Sequence, residues 1–195
     1  MNAILRPAVA MILGLTLITG LVMPLAMTGI AQVVFPRQAN GSLLDRNGVV
    51  VGSALIGQNF AQPQYFHPRP SATTEPDPAN PDKTRPAPYN AAASGASNAG
   101  PTSKDLLDTI KGRVAVNGPT PVPADAVTTS ASGLDPHISP ENAQRQVARV
   151  AAARGWPEDR VRALLAAHSE GRAFGLLGEA QVNVLQLNLA LDAAR

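Results

Sequence analysis

Cysteine is absent from all 195 residues, which excludes disulfides and thiolate metal sites and leaves the redox compartment open. Aromatic residues make up only 4% of the chain, and Lys+Arg number 16 against 14 Asp+Glu, a formal charge of +2 with no basic cluster. A nucleic-acid surface needs a positive face and stacking rings, so binding of nucleic acid is excluded. A phosphate-binding glycine loop ending in Lys-Ser or Lys-Thr is also missing. The nearest approach, Gly171 to Gly178 (GRAFGLLG), lacks the lysine that would reach the phosphates. His67, His137 and His168 are the only histidines, and none shows the paired spacing of a zinc site. Asp77, Asn80 and Asp82 offer oxygen ligands, but no glycine turn or closing glutamate completes a calcium loop. No metal is expected.

The most telling deficit is one of charge. From Pro7 to Pro36 thirty residues pass without an ionisable side chain. A helix rises about 1.5 Å per residue, so ~20 residues cross a ~30 Å hydrocarbon core. Residues 8–35 are thus ample for one tilted transmembrane helix behind a short tail, residues 1–7. The rival reading is a cleaved signal peptide, with Gly29 and Ala31 as the small residues before a cut at Gln32. An h-region of about 7–15 residues is usual, and this run is nearly twice that, which favours a retained anchor. Arg6 on one side and Arg37, Asp45 and Arg46 on the other nearly balance, so positive charge hardly sets the orientation. A short tail before the first span resembles a signal anchor. The expected topology is single-pass in a bacterial plasma (inner) membrane, N-terminus cytoplasmic, with residues 36–195 as an extracytoplasmic soluble domain.

Within the span, Gly20 and Pro24 should kink or loosen the helix. Ala10 with Gly14, and Thr16 with Gly20, are small-xxx-small pairs that let another helix approach closely. These four residues are candidate partner contacts, although Gly and Thr are common in membrane helices for packing reasons alone.

The soluble part holds most of the 18 prolines and 16 glycines and should be rich in loops. Its pattern predicts a mixed α/β (α+β) domain. Asn47-Gly48 between Ser42–Leu44 and Val49–Val51 suits a type I′ turn and predicts a hairpin. From Gln62 to Pro88 eight prolines interrupt a polar stretch, and its end, residues 75–88 (EPDPANPDKTRPAP), is expected as an exposed, partly extended loop. Thr102 and Asp105 read as a capping box for a helix carrying Leu106, Leu107, Ile110 and Val114, stopped by Gly118 and Pro119. Val122 to Thr129 reads as a short strand, and Ser130 to Pro136 (SASGLDP) as a tight polar loop. Ser139, Pro140 and Glu141 form a strong helix start, with Ala143, Val147, Val150 and Ala151 inward and Gly155 at the end. A second helix near Pro157 should bury Val161, Leu164 and Leu165. Val182 to Leu191 fits either period, and its helix formers favour a helix.

Two polar loop groups remain as sites. Ser94, Ser97 and Asn98 lie in one, with Tyr89 and Asn90 ahead of them; Ser130, Ser132, Asp135 and His137 lie in the other. Serine, aspartate and histidine together invite a hydrolase reading, but catalytic triads converge from distant segments, so proximity in sequence does not support one. Gly95-Ala96-Ser97-Asn98-Ala99 lacks the final glycine of a nucleophile elbow. Short polar side chains of this kind fix turns, and their other use here is as a contact surface for a partner. No catalytic residue is expected.

Several segments resemble one family. They are Leu55-Ile56 before Gly57-Gln58-Asn59-Phe60, Tyr65-Phe66, Arg69-Pro70-Ser71-Ala72, Tyr89-Asn90, Ser94 to Asn98, Val127-Thr128, Ser130 to Pro140, Gln146 to Ala151 and Val182 to Asp192. Together with the N-terminal span they look like the small C subunits, KdpC, of bacterial Kdp potassium-transporting ATPases, in order and over almost the whole chain. The resemblance implies one transmembrane helix, an exported α/β domain and a complex with three partners. These are a channel-like potassium-binding subunit, a P-type ATPase subunit and a tiny single-helix subunit. It also implies an accessory role, described for the family as a catalytic chaperone that raises the pump's ATP affinity, with a common ATP-binding label. The missing phosphate loop and an exported domain both speak against ATP on this chain; ATP and Mg would then act at the pump subunit. The competing function is a nucleotide-binding regulator on the cytoplasmic side. Two departures from the family pattern are Ala96, where glycine is usual, and the acidic, Pro-rich stretch 75–88. Ala96 would be strained if the loop there needed φ > 0.

Overall fold

Residues 2–118 and 121–194 are described by the computed structural model of the chain; Pro119, read as part of a helix stop, lies outside them. The chain divides into two compact units, Met1–Ser53 and Ala54–Arg195.

The first unit is the apolar helix followed by a hairpin. Helix α1 (Asn2–Leu17) and helix α2 (Met23–Val34) join through a π-helical turn, Ile18–Val22. Ala3–Val34 is long and apolar enough to cross a membrane, and none of it is buried inside the fold. The π-turn sits at the loosened point expected from Gly20 and Pro24. Proline has no N–H to give the carbonyl one turn back, and a wider turn accommodates the loss. Thr19 Oγ1 also draws off the Leu15 carbonyl at 2.7 Å. A helical turn α3 (Pro36–Ala39) leads to β1 (Leu43–Arg46) and β2 (Val49–Ser53), paired antiparallel. Asn47 and Gly48 have φ 57° and 80°, the left-handed pair of a type I′ turn, and the Asp45 carboxylate accepts the Gly48 N–H at 2.9 Å.

In the second unit the prolines of residues 75–88 do not prevent pairing. Strands β3 (Thr74–Asp77) and β4 (Asn80–Pro86) form an antiparallel hairpin, where a loop was expected. A two-stranded ribbon has a free edge on each strand, so Pro76, Pro81 and Pro86 can sit where no donor is needed. Asp77 closes the turn by accepting from Ala79 N, and Arg85 bonds Glu75 across the strands at 2.7 Å. Helix α4 (Lys104–Asn117) is capped by Ser103, whose hydroxyl accepts from Leu106 N, not by the Thr102–Asp105 box. Gly118, at φ 83°, ends it. The predicted strand 122–129 is instead a helical turn, α5 (Ala124–Val127). Pro121 and Pro123 remove the donors a ladder would need, and Thr128 caps the turn by donating N–H and hydroxyl to Ala124 O.

The core forms around helices α6 (Pro140–Arg154), α7 (Glu158–Ala167) and α8 (Val184–Ala193) and a small sheet. That sheet has strand β7 (Gln181–Asn183) between β5 (His137–Ile138) and β6 (Ser169–Glu170), all antiparallel. Ser139 caps α6 as expected, and Gly155 ends it at φ 66°. Ala143, Val147, Val150 and Ala151 pack with Val161, Leu165, Val182, Leu187 and Leu191, and Leu164 is partly buried against them. The ambiguous segment 182–191 is both structures in turn: Val182 and Asn183 belong to β7, and the Asn183 side chain then caps α8 by accepting from Gln186 N.

Phe66 is fully buried although it lies in an irregular segment. Buried amides must be paired, and here side chains pair them. Asn188, 1% exposed, accepts from Phe66 N at 2.8 Å and donates to Phe66 O at 3.0 Å. Gln146 does the same for His67, at 2.7 and 3.0 Å. Arg149 and Arg154 donate to the carbonyls of Pro63, Tyr65 and Gln64. Residues 63–67 are thus held to the core without a partner strand.

Candidate functional site

Both polar loop groups converge on one place in the second unit. The turn Ser130–Pro136 is fastened to three other segments. Leu134 O accepts from Gly57 N at 2.8 Å, and Ser132 O accepts from Gly95 N and from the Ser94 hydroxyl, each at 2.9 Å. Gly133 O accepts from the Ser71 hydroxyl at 2.7 Å. Two glycines make such close approach feasible. A Cβ on Gly133, at φ 67°, would lie 2.6 Å from Thr73 Cγ2 and 2.7 Å from Gly95 O; one on Gly57 would lie 2.4 Å from the Tyr89 ring and 2.7 Å from Asp135 O. Neither position can carry a side chain without moving backbone.

Asp135 organises the charge of this knot. Arg69 Nη1 meets its carboxylate at 2.8 Å, and the same guanidinium reaches the Thr129 carbonyl at 3.3 Å. The His137 N–H donates to Asp135 at 3.0 Å, and the His137 ring stands 3.6 Å away. Burial alone would raise the Asp135 pKa. Hydrogen bonds from His137 and Arg69, with the Arg69 charge, outweigh that and bring it down to about 2. Tyr89 donates its hydroxyl to Arg69 O at 2.8 Å. Its pKa is pushed up, first by burial and then by the Asp135 charge. Next to this knot, Asp125 accepts from the N–H and hydroxyl of Ser139 and from the Asn142 amide, tying α5 to the start of α6.

A shallow groove of about 630 Å³ opens over Arg69 and Asp135, between Leu55–Ile56 and Thr129–Ser132. The residues around it fit a nucleotide poorly. Phosphates are held by free backbone N–H groups or unpaired cations. The N–H groups of Gly57, Gly95, Leu134 and His137 are all taken up within the knot, and Arg69 is paired with Asp135. Among the described residues, no three histidines or carboxylates gather as metal ligands would.

Ser94, Ser130, Ser132, Asp135 and His137 are therefore brought together, but in structural bonds. The Ser132 hydroxyl accepts from Leu134 N at 3.1 Å and lies 3.4 Å from the Ser130 hydroxyl, while the His137 ring faces Asp135. Ser97 and Asn98 are exposed on the outside of their loop, Asn98 at φ 51°. Ala96 is not in the left-handed region, so its departure from glycine costs no strain. In the span, a Cβ on Gly14 would meet nothing within 4 Å, and one on Gly20 only Thr16 Cγ2 at 4.0 Å; Ala10 and Thr16 are likewise exposed. The residues that sequence reasoning did not single out are Arg69, Ser71 and Gly133. Arg69 and Ser71 were marked only by membership of segments with family likeness, and Gly133 also by its place in the polar loop 130–136.

Comparison with known proteins agrees with that likeness. A family model described as KdpC, K+-transporting ATPase, c chain, matches residues 5–193. A potassium-transporting ATPase KdpC subunit from Rhodopseudomonas palustris (strain BisB18) is 60% identical over 195 residues, covering 98% of each chain. One from Methylorubrum populi is 61% identical over 192 residues, covering 96% of each. One from Bradyrhizobium diazoefficiens is 61% identical over 194 residues, covering 97% of this chain and 96% of its own. A single apolar N-terminal helix, a mixed α+β unit with small sheets and identity of this extent place the chain in the KdpC family, the c chains of K+-transporting ATPases.

Proposed function

We propose that this chain is a non-catalytic accessory subunit that stabilises an assembled, ATP-driven potassium importer from the outer side of the membrane. Its partners in this reading are the channel-like potassium-binding subunit, the P-type ATPase subunit and the small single-helix subunit. Ala10, Gly14, Thr16 and Gly20 offer a neighbouring helix close packing in the bilayer, where packing and not hydrophobicity drives association. The exposed Ser97 and Asn98 and the rim of the Arg69–Asp135 groove offer polar contacts outside. ATP and Mg act at the pump subunit, and any gain in ATP affinity reaches it through assembly.

The observation that carries this reading is the closure of the polar knot on itself. Apart from the buried Arg69 Nε, its donors bond to its own carbonyls, hydroxyls and the Asp135 carboxylate, which makes a surface suited to contact and offers phosphate no free row of N–H groups. Protease protection or a reporter fused at Gly100, in intact spheroplasts, tests the side. We expect access from outside. Isothermal titration of the purified full-length chain with ATP tests the rest, and no saturable binding is expected. Micromolar saturable binding removed by a change in one loop, with Gly100 shielded, would favour the cytoplasmic nucleotide-binding regulator.

A further inference from the structure

Strands β6 and β7 are joined by residues 171–180, and this connection has an unusual tip. Phe174, Leu176 and Leu177 are 93%, 81% and 64% exposed. Their backbone is nevertheless closed. Ala173 N donates to Leu177 O at 2.8 Å, Leu177 N returns the bond at 2.9 Å, and Gly175 N donates to Arg172 O at 3.0 Å. Arg172 meets Glu179 at 2.6 Å across the base. With the N–H groups of Ala173, Gly175, Leu176 and Leu177 bonded inside the turn and Arg172 paired with Glu179, the tip strands fewer polar groups on entering an apolar environment than an open loop would. Glu170 is left as the excess charge at its base. Phe174 also sits at φ 54°. That region suits Gly or Asn and is rare for a bulky residue. A turn selected for folding alone would not carry phenylalanine there, so the ring is held for something other than this unit's own core.

We propose that this tip is an anchor that inserts into an apolar, cation-rimmed pocket on another subunit of the same potassium-transporting ATPase. The inference rests on the docking role given above and names the element that docks. Charge decides against the other occupants. Between Ser169 and Gln181 the ionisable residues are Glu170, Arg172 and Glu179, a net charge of −1. Interfacial lipid anchors set Lys or Arg beside their Phe, Leu or Trp, whereas here the one Arg is paired with Glu179 and anionic headgroups would repel the remaining Glu170. A symmetric contact between two copies would set Glu170 and Glu179 against their own images. A protein pocket rimmed by Lys or Arg meets neither objection, and a preorganised aromatic anchor is the kind of group that dominates such contacts.

The test uses the full-length chain co-expressed with the other subunits of its ATPase, purified through a tag on the P-type subunit. Phe174→Gly should cut recovery of this chain about tenfold or more. Its melting midpoint should stay unchanged or rise, because glycine adopts φ 54° freely. A benzophenone photo-probe at position 174 of the otherwise unchanged chain should cross-link to an identified subunit of the pump. If the wild-type chain fails to co-purify, the docking role itself is wrong and the tip proposal falls with it. If wild type co-purifies and Phe174→Gly with Leu176→Ser does so equally, the tip proposal alone is overturned. Cross-links to phospholipid, to a second copy, or only within the chain would also overturn it.

Discussion

Replacing Gly133 with alanine adds one methyl group at the tightest point of the polar knot, and its cost can be worked from the geometry. The backbone is at φ 67°, where an L-residue with a Cβ loses about 1 kcal/mol relative to glycine. The new Cβ would stand 2.6 Å from Thr73 Cγ2 and 2.7 Å from Gly95 O. The second neighbour is backbone and cannot rotate away, so the 94–95 and 71–73 segments must shift. That weakens the Gly95 N to Ser132 O and Ser71 Oγ to Gly133 O bonds, each worth about 1 kcal/mol. The total is about 3 kcal/mol, or a fall of roughly 6–12 °C in melting midpoint for a chain of this size. Gly178→Ala is the matched control. It is also left-handed, at φ 76°, but a Cβ there meets nothing within 4 Å, so about 1 kcal/mol and roughly 2–4 °C are expected. Thermal melts of the full-length chain in detergent, followed by the fluorescence of the sole tryptophan, Trp156, report on the second unit. Equal midpoints for the two variants would refute the close-approach argument.

Two further perturbations probe the same region. Asp125→Ala removes the acceptor shared by the Ser139 N–H, the Ser139 hydroxyl and the Asn142 amide; with Asn142 only 5% exposed, a loss of about 2–4 kcal/mol is expected in denaturant melts, and a change below 1 kcal/mol would show that water substitutes for the carboxylate. Asp135 has its pKa depressed from 3.8 to about 2 in the fold, so its contribution is fully present above the unfolded value and is lost as pH falls from about 4 through 2. After allowance for its partial exposure that contribution is about 1–2 kcal/mol. The gap in stability between wild type and Asp135→Asn should therefore shrink steadily as pH falls from about 4 to 2, and a constant gap from pH 7 to pH 2 would contradict the assignment.

Some features of this protein are decided by residues a few positions apart, and those were legible in the sequence. The uncharged run from Pro7 to Pro36 specifies an apolar helix long enough to cross a membrane whatever follows it, because helical hydrogen bonds close within four residues. The Gly20–Pro24 spacing marks where that helix widens. Asn47-Gly48 sets a left-handed turn, Ser139-Pro140 starts α6, and Gly155 ends it, each through its own φ preference or its own side chain. The alternation in Val182–Leu191 was misleading because strand and helix share it, and only pairing with Ile138 and Ser169 on either side shows where one gives way to the other. Residues 75–88 and 122–129 went against their local reading for the same reason. A ribbon's free edges make room for proline, and Asp125 is placed by its bonds to Ser139 and Asn142 at the start of α6. The site is of this second kind throughout. Asp135 meets Arg69 across 66 positions, and Asn188 holds Phe66 across 122. No local propensity encodes such partners. They are settled only when the core of α6, α7 and α8 fixes distances, because a buried polar group must find its partner among whatever the fold brings near it.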